Sequence, residues 1–560
     1  MPLSDTQEAE RPSELSPSGP YRGVKQAGLI LLCAAWIVLG LLGHDPWKPD
    51  DAVSFGIAYD MLHRNDWLLP HIAGVAQPDR PPLLYAFAAA SARVLEPLLP
   101  LHDGARVAVG LSLAATLWLL SLAARELYGR AFRWLPVLIF IGCVGLWDRG
   151  HQLSPDVAVL GADALALYAL ALALRRPALG GVLLGLAAGV AFLCRGPLGA
   201  SLIALTALVL TFCSPWRRSA YAATLGIAVA VAMPLLLAWP LALEVRDPEL
   251  FEQWREGQSL AAFFGLAPGS PPAEPLYYVK NLLWFAWPAL PLALWTLWLR
   301  ARGYRGRLTD AGVALPLVML LLALVVLSAG AEPRANFALP ILLPMSLLGA
   351  AEVDTLKRGS SGALDWFGIL TFGLLAVVLW GLWAQSLATG LPESVARVFR
   401  DTQPGFRPSW GWLPFVASAL LTLLWLALVR PARRSNRRAV LNWAAGMTLV
   451  WGLSATIWLP YVDSRRSYRP VAESLAANLP AGECVAGRNL GEPQRALFEY
   501  FAGLITVHDE GAAARCPLLL EQFGQNDPDA PPDSSWQKIW EGRRRGDDTE
   551  RFALFRKAPQ

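Results

Sequence analysis

Eight long apolar runs with almost no charge recur along the first 460 residues of this 560-residue chain, at 29–43, 107–124, 135–147, 220–243, 315–330, 368–384, 412–429 and 441–459. A helix of about 18–20 apolar residues crosses a ~30 Å hydrocarbon core, and several of these runs approach or exceed that length. One such run could be the buried helix of a soluble protein, but eight cannot. Only 16% of the residues are charged, against roughly 25% in soluble domains, so the chain lacks the charge to coat that much apolar surface. Lipid offers the backbone no hydrogen-bond partner, so spans of this kind must be helices. The 24 Trp and 44 Pro suit the same class, since Trp favours the membrane interface and Pro is tolerated within spans. The formal charge of +4 is weak and dispersed, which argues against a nucleic-acid partner.

Positive residues set the orientation. Arg175-Arg176, Arg217-Arg218, Arg300 to Arg307, Lys357-Arg358 and Arg430 to Arg438 crowd short loops, and such loops stay in the cytoplasm. They alternate with loops 148–156, 242–280, 330–336 and 385–410, which then lie outside, as does everything after Tyr461. With residues 1–26 inside, the loop 44–80 is outside and the basic loop Arg125, Arg130 and Arg133 is inside. Three full spans between 81 and 147 would break that parity, so the run 83–99 is expected not to cross. The run 29–43 follows too long a polar stretch, without a small-residue cleavage site, to be a signal peptide. The expectation is an all-α polytopic membrane protein of about thirteen spans. It comprises a cytoplasmic tail 1–26, a membrane domain 27–460 with outer loops 44–80 and 242–280, and a soluble α/β domain 461–560.

Ionisable residues near the outer face are the candidates for chemistry. Asp50-Asp51 follows the first span, and residues 55–62 form an amphipathic segment that could lie along the membrane surface. Asp79-Arg80-Pro81 comes next, and Asp156 opens a later span. Asp50 and Asp156 are each either a helix cap or a functional carboxylate. Arg195 breaks two apolar runs and is either a snorkelling side chain or a phosphate ligand. Asp163 sits inside an apolar helix and is expected to face the bundle. His71 and His151 stand alone, and no CxxC or HExxH spacing suggests a metal. Cys33, Cys143, Cys194 and Cys213 read as small apolar residues. Cys484 and Cys516 share the tail, where a disulfide and two free thiols both remain open.

In their order along the chain, these residues resemble the polyprenyl-phosphate-dependent glycosyltransferases of the GT-C fold. The resemblance is greatest to the bacterial aminoarabinose transferase branch, which is related to the protein O-mannosyltransferases, and it covers most of the chain. Pro49-Asp50-Asp51 falls on that branch's Pro-Asp-Glu. Tyr59-Asp60-Met61 through Asp66-Trp67 and Pro70-His71 falls on Glu-Met, Gly-Asp-Trp and Pro-His. Asp79-Arg80-Pro81 falls on Glu-Lys-Pro, and Arg195-Gly196-Pro197 on Lys-Gly-Pro. Residues 333–344 match its proline-bounded run and Tyr277-Tyr278 its Tyr-Tyr element.

The resemblance implies a sugar donor on a polyprenyl (undecaprenyl) phosphate and a glycolipid such as lipid A, a glycan or a protein as acceptor. It further implies an inverting transfer at the periplasmic face of a bacterial inner membrane, with no cofactor required and a divalent metal left open. By the same resemblance Asp50 is the base, with Asp156 and Asp51 beside it as catalytic carboxylates. Arg80, Arg195 and Arg255 would hold donor phosphate, and His71, Tyr59 and Phe337 would line the substrate cavity. The sequence departs from the family in carrying Asp51 for Glu, Arg80 for Lys and Phe337 for Tyr. Ala262 also stands where an Arg is usual, a loss that Arg255 could offset. A flippase or transporter of lipid-linked sugars, an oligosaccharide ligase and an assembly factor are the competing readings. The transporter reading predicts internal repeats, and none is visible.

Overall fold

The computed structural model describes residues 21–558 apart from 259–262, 266–273, 331–332, 391–406, 431–434, 481, 509, 526, 528–532, 534 and 545–548. Most of the tail 1–26, Ala262 and parts of loops 242–280, 330–336 and 385–410 therefore lie outside the described residues. Six helices are long and apolar enough to cross a membrane: Leu101–Tyr128, Pro155–Leu172, Pro177–Arg195, Ser219–Arg246, Ala311–Ala329 and Arg358–Thr389. Two bent pairs pass the same test together, Tyr277–Phe285 with Ala289–Ala301 and Asn436–Ser454 with Leu459–Arg466. Five shorter apolar helices join them: Gln26–Val38, Leu83–Leu95, Pro197–Leu210, Ala335–Ala351 and Trp412–Leu428.

Local chemistry explains where these helices begin and how they touch. Pro155, Pro177 and Pro197 each occupy the first turn of a helix, where the missing N–H would have had no partner. Val229, Met233, Leu237 and Leu241 stand exposed along Ser219–Arg246, an apolar face of the kind a membrane helix turns to lipid. The opposite side of that helix meets Gly181, Gly185 and Gly189. A Cβ at these positions would come within 2.6 Å of the Thr224 carbonyl oxygen, 2.5 Å of the Ala228 carbonyl oxygen and 2.3 Å of Leu235. Glycine every fourth residue thus lets two membrane helices touch backbone to backbone.

Leu83–Leu95 is different. Before it, Arg80 pairs with Glu492. After it, the first turn of Leu101–Tyr128 carries Asp103, which accepts from the Gly43 N–H at 3.0 Å. The chain before this helix is thus held by the C-terminal part and the chain after it by the loop that follows the first helix, with a short turn at 96–100 between the two helices.

The C-terminal part contains a four-stranded sheet in the order Val485–Arg488, Leu518–Gly524, Glu550–Lys557, Trp536–Gly542. The first pairing is parallel and the other two antiparallel. Helices Arg469–Asn478 and Glu492–Ala502 cover it through Leu475, Leu497 and Phe498. Cys484 and Cys516 form a disulfide with Cα atoms 5.2 Å apart, beside the parallel strand pair.

The helix Asp50–Arg64 corrects one expectation. Residues 55–62 do not leave one face open, as an amphipathic surface segment would, because the helix is buried between the bundle and the C-terminal helix Glu492–Ala502. Gly56 permits this contact, since a Cβ there would come within 2.4 Å of the Ala496 Cβ. Ala52 belongs to the apolar core of the C-terminal sheet.

A buried polar cluster fastens the same corner. The Arg106 guanidinium donates to both Asp51 carboxylate oxygens at 3.2 and 2.8 Å, to Asp103 at 3.0 Å and to the carbonyls of His44 and Asp45. Trp47 N–H and Leu153 N–H also donate to Asp51, each at 3.1 Å. Burial alone would raise the Asp51 carboxyl, but Arg106 outweighs it and holds the group below the usual carboxylate range. Nearby, Asp45 pairs with Arg469 of the C-terminal part.

Glu499, on the covering helix, faces Asp60 of Asp50–Arg64, with Arg64, Tyr59 and the Ala73 N–H also around it. Burial first and Asp60 second push its carboxyl up to about 7, against 4.5 ordinarily. A carboxyl raised in the folded state contributes stability that is complete below the unfolded value and is lost as pH rises through the folded one. The seam between the two helices should therefore weaken between about pH 5 and 8. Glu499→Gln should flatten that dependence and raise stability at pH 8 by on the order of 1–3 kcal/mol. Thermal unfolding of both proteins across this range checks it, and parallel pH profiles would refute it.

Candidate active site

Four predicted residues meet at one end of the bundle. Ser154, in extended conformation, caps Pro155–Leu172, its hydroxyl oxygen accepting from the Asp156 N–H at 3.2 Å. The Asp156 carboxylate is thus not needed as a cap, and it pairs with Arg195. Arg195 ends the helix Pro177–Arg195, where a cation is favoured by the helix dipole. Gly196 then turns the chain with φ of +72°, a conformation that glycine adopts without strain.

Phe337 lies under this pair. The Arg195 guanidinium sits 4.0 Å from its ring centroid and that of Arg334 5.7 Å, so the ring face attracts two cations. One residue earlier, the Asn336 amide donates to the Asp50 carboxylate. Asp50 is the first residue of Asp50–Arg64 and gives its helix no side-chain cap bond. The short 3₁₀ helix Ala335–Ile341 therefore ties the first loop to the Asp156–Arg195 pair. Asp50 and Arg334 both lie within the electrostatic reach of Asp156. The Tyr278 hydroxyl accepts from the Arg334 N–H at 3.2 Å.

Arg80 stands at the edge of this group. It donates to Glu492 of the C-terminal part and to the Tyr85 hydroxyl. Tyr85 in turn lies within the electrostatic reach of Arg195, and Pro81 comes close to Gly196. A narrow cleft lies below Asp156, Arg195 and Phe337, with about 30 Å³ of space that water can enter. Its remaining walls are apolar apart from Asp163.

The other predicted residues lie elsewhere. Asp51 has four donors on its two oxygens within the buried cluster around Arg106. Tyr59 packs with Phe55, His63 and Tyr500. The His71 ring pairs with the Leu69 carbonyl at 2.8 Å. Arg255 is exposed on Pro248–Gly257 and pairs with Glu252 on its own helix. Asn336 and Arg334 were not singled out from the sequence; the signal was available in two polar residues directly before the apolar stretch that begins at Phe337. Among the described residues no group of three His, Cys, Asp or Glu side chains is placed to hold a metal.

A bundle of apolar helices with a carboxylate–arginine site at one end defines a multi-pass membrane protein whose polar chemistry sits at the bundle's rim. Relatives give this class a particular character. The chain is 30% identical over 365 residues to an undecaprenyl phosphate-alpha-4-amino-4-deoxy-L-arabinose arabinosyl transferase of Pseudomonas aeruginosa (strain UCBPP-PA14), covering 63% of this chain and 64% of that protein. That alignment spans less than two thirds of the relative's length. The transferase of the same name from Pseudomonas paraeruginosa (strain DSM 24068 / PA7) is 26% identical over 538 residues, 92% of this chain and 91% of that protein. Crystal structures of ArnT from Cupriavidus metallidurans superpose with TM-scores of 0.68 in the apo state and 0.66 bound to undecaprenyl phosphate. Both are at 16% identity and cover at least 95% of this chain and 98% of that one. No family model matches. The chain has the fold of the GT-C glycosyltransferases and resembles the aminoarabinose transferases among them.

Proposed function

We propose that this chain transfers a sugar from a polyprenyl phosphate, undecaprenyl phosphate, to a hydroxyl or phosphate oxygen of a glycolipid, glycan or protein acceptor. The observation that carries the proposal is the meeting of Asp50 with Asn336 and of Asp156 with Arg195 and Phe337. These groups come from four separate parts of the chain: Asp156, Arg195 and Phe337 line one cleft, and Asn336 brings Asp50 to it. The names of the relatives supply the donor class.

In this reading Asp50 takes the proton from an acceptor hydroxyl, or orients an acceptor phosphate that is already ionised. The acceptor oxygen forms a bond to the anomeric carbon while the bond from that carbon to the phosphate oxygen breaks. The electron pair leaves with the phosphate, and attack from the opposite face inverts the centre. Arg195 and Arg80 offset the charge growing on the departing phosphate. Asn336 holds the Asp50 carboxylate in place. Asp51 acts through Arg106 as a positioning residue rather than at the reacting atoms.

Thirteen crossings of a bacterial inner membrane suit the helices: the six long ones, the two bent pairs, four of the shorter ones and the broken stretch 135–153, with Leu83–Leu95 lying on the outer side. The site and the C-terminal sheet then face the periplasm, where a disulfide persists. The purified chain, given an undecaprenyl-phosphate sugar and a membrane glycolipid extract, should release free undecaprenyl phosphate and glycosylated lipid. Movement of intact donor across a vesicle membrane without that release would replace this reading with a transporter.

A further inference from the structure

Arg495 is a cation that the reaction above does not use. It stands half-buried in the first turn of Glu492–Ala502, where the helix dipole disfavours positive charge. Its Nε is sealed from water without a hydrogen-bond partner, and among the described residues no carboxylate forms an ion pair with it. The carboxylate that acts on it is Glu492, three residues earlier on the same face, and Glu492 is already bound to Arg80 at 2.5 Å. Arg80 and Arg495 therefore share one partner and repel each other. The Arg80 Nε also lacks a hydrogen-bond partner among the described residues. Asp79 lies 3.9 Å from it, too far for a hydrogen bond, and is more than half exposed. Unmet buried donors and adjacent like charges both cost stability. Arg80 links this pair to the catalytic end, because Tyr85, which it bonds, lies within reach of Arg195, and Pro81 adjoins Gly196.

We infer that Arg495 is a ligand that the C-terminal part adds to the active site, closing with Arg80 on a phosphate group of a lipid substrate. This rests on the transferase reading, which supplies the lipid. Two guanidinium forks from separate parts of the chain can donate to the oxygens of one phosphate. The repulsion between the two cations becomes a shared attraction once a phosphate lies between them. The C-terminal part thereby takes part in binding and is more than a cover over Asp50–Arg64. Donor and acceptor lipids can both carry such a phosphate, and the two sources separate by experiment.

Equilibrium binding of undecaprenyl phosphate to the full chain in detergent, followed by kinetics with donor and a phosphorylated glycolipid acceptor varied in turn, tests this. If the phosphate is the donor's, Arg495→Gln should weaken undecaprenyl phosphate binding by about tenfold or more. If it is the acceptor's, that binding stays intact and the acceptor KM rises by as much. In either case kcat should stay within about threefold. Arg495→Lys, which keeps the charge but not the fork, should recover part of the loss. Glu492→Gln loosens the same seam without removing a cation and should weaken neither substrate. Unchanged binding and unchanged KM in Arg495→Gln overturn the assignment, as does an equal loss in Glu492→Gln, which would mark a purely structural seam. Arg495-dependent binding of undecaprenyl phosphate by a chain that transfers no sugar would instead bring down the transferase reading and leave this site standing.

Discussion

Asp50→Asn should turn over at least ~10²-fold more slowly than the wild type, the scale of a positioned general base, with donor KM changed little. The substitution is nearly isosteric, and Asn336 can still hold it, because an amide oxygen accepts from the Asn336 amide as the carboxylate does. What disappears is the ability to take a proton. A loss confined to kcat is the mark of an interaction made in the transition state, and each tenfold corresponds to about 1.4 kcal/mol of barrier. Asp156→Asn should behave differently, since it frees the Arg195 guanidinium from its ion pair and so alters donor binding as well. Release of undecaprenyl phosphate under single-turnover conditions separates the two. If Asp50→Asn matches the wild type, the base is elsewhere, and Asp156 becomes the first candidate.

The parts of this arrangement that sequence disclosed are those governed by local rules. Apolar runs mark helices because lipid imposes one length and one secondary structure on a span. Asp50, Asp156, Arg195 and Phe337 were identified through the order of short motifs, and the fold brings the last three to one cleft, with Asp50 tied to them through Asn336. What sequence hid are pairings across long separations. Asn336 reaches Asp50 over 286 residues, and nothing in either segment's periodicity names the other. The segment 55–62 has the alternation of a surface helix, but the element that covers it, Glu492–Ala502, comes more than 400 residues later. Arg255 was favoured because an expected arginine was absent nearby, yet its helix points it into solvent.

Adjacent Asp50 and Asp51 should have opposite consequences when removed, and this contrast is the sharpest test of their division of labour. Asp51 is 2% exposed and Arg106 1%, so the pair is sealed from water. Asp51→Ala would strip the guanidinium of its two-pronged partner and leave the Trp47 and Leu153 N–H groups without an acceptor. Breaking a buried ion pair from one side costs about 3–5 kcal/mol, and each orphaned donor adds to that. The unfolding midpoint in detergent should fall accordingly, while molecules that remain folded retain kcat within about tenfold, since Asp51 does not touch the reacting atoms in this mechanism. The double variant Asp51→Leu with Arg106→Met should recover much of the lost stability, because an apolar pair of similar bulk escapes the desolvation cost of lone charges. A drop below about 1 kcal/mol for Asp51→Ala would mean the cluster does not fasten the first loop. A loss of kcat as large as that of Asp50→Asn, with stability intact, would move Asp51 into the reaction itself.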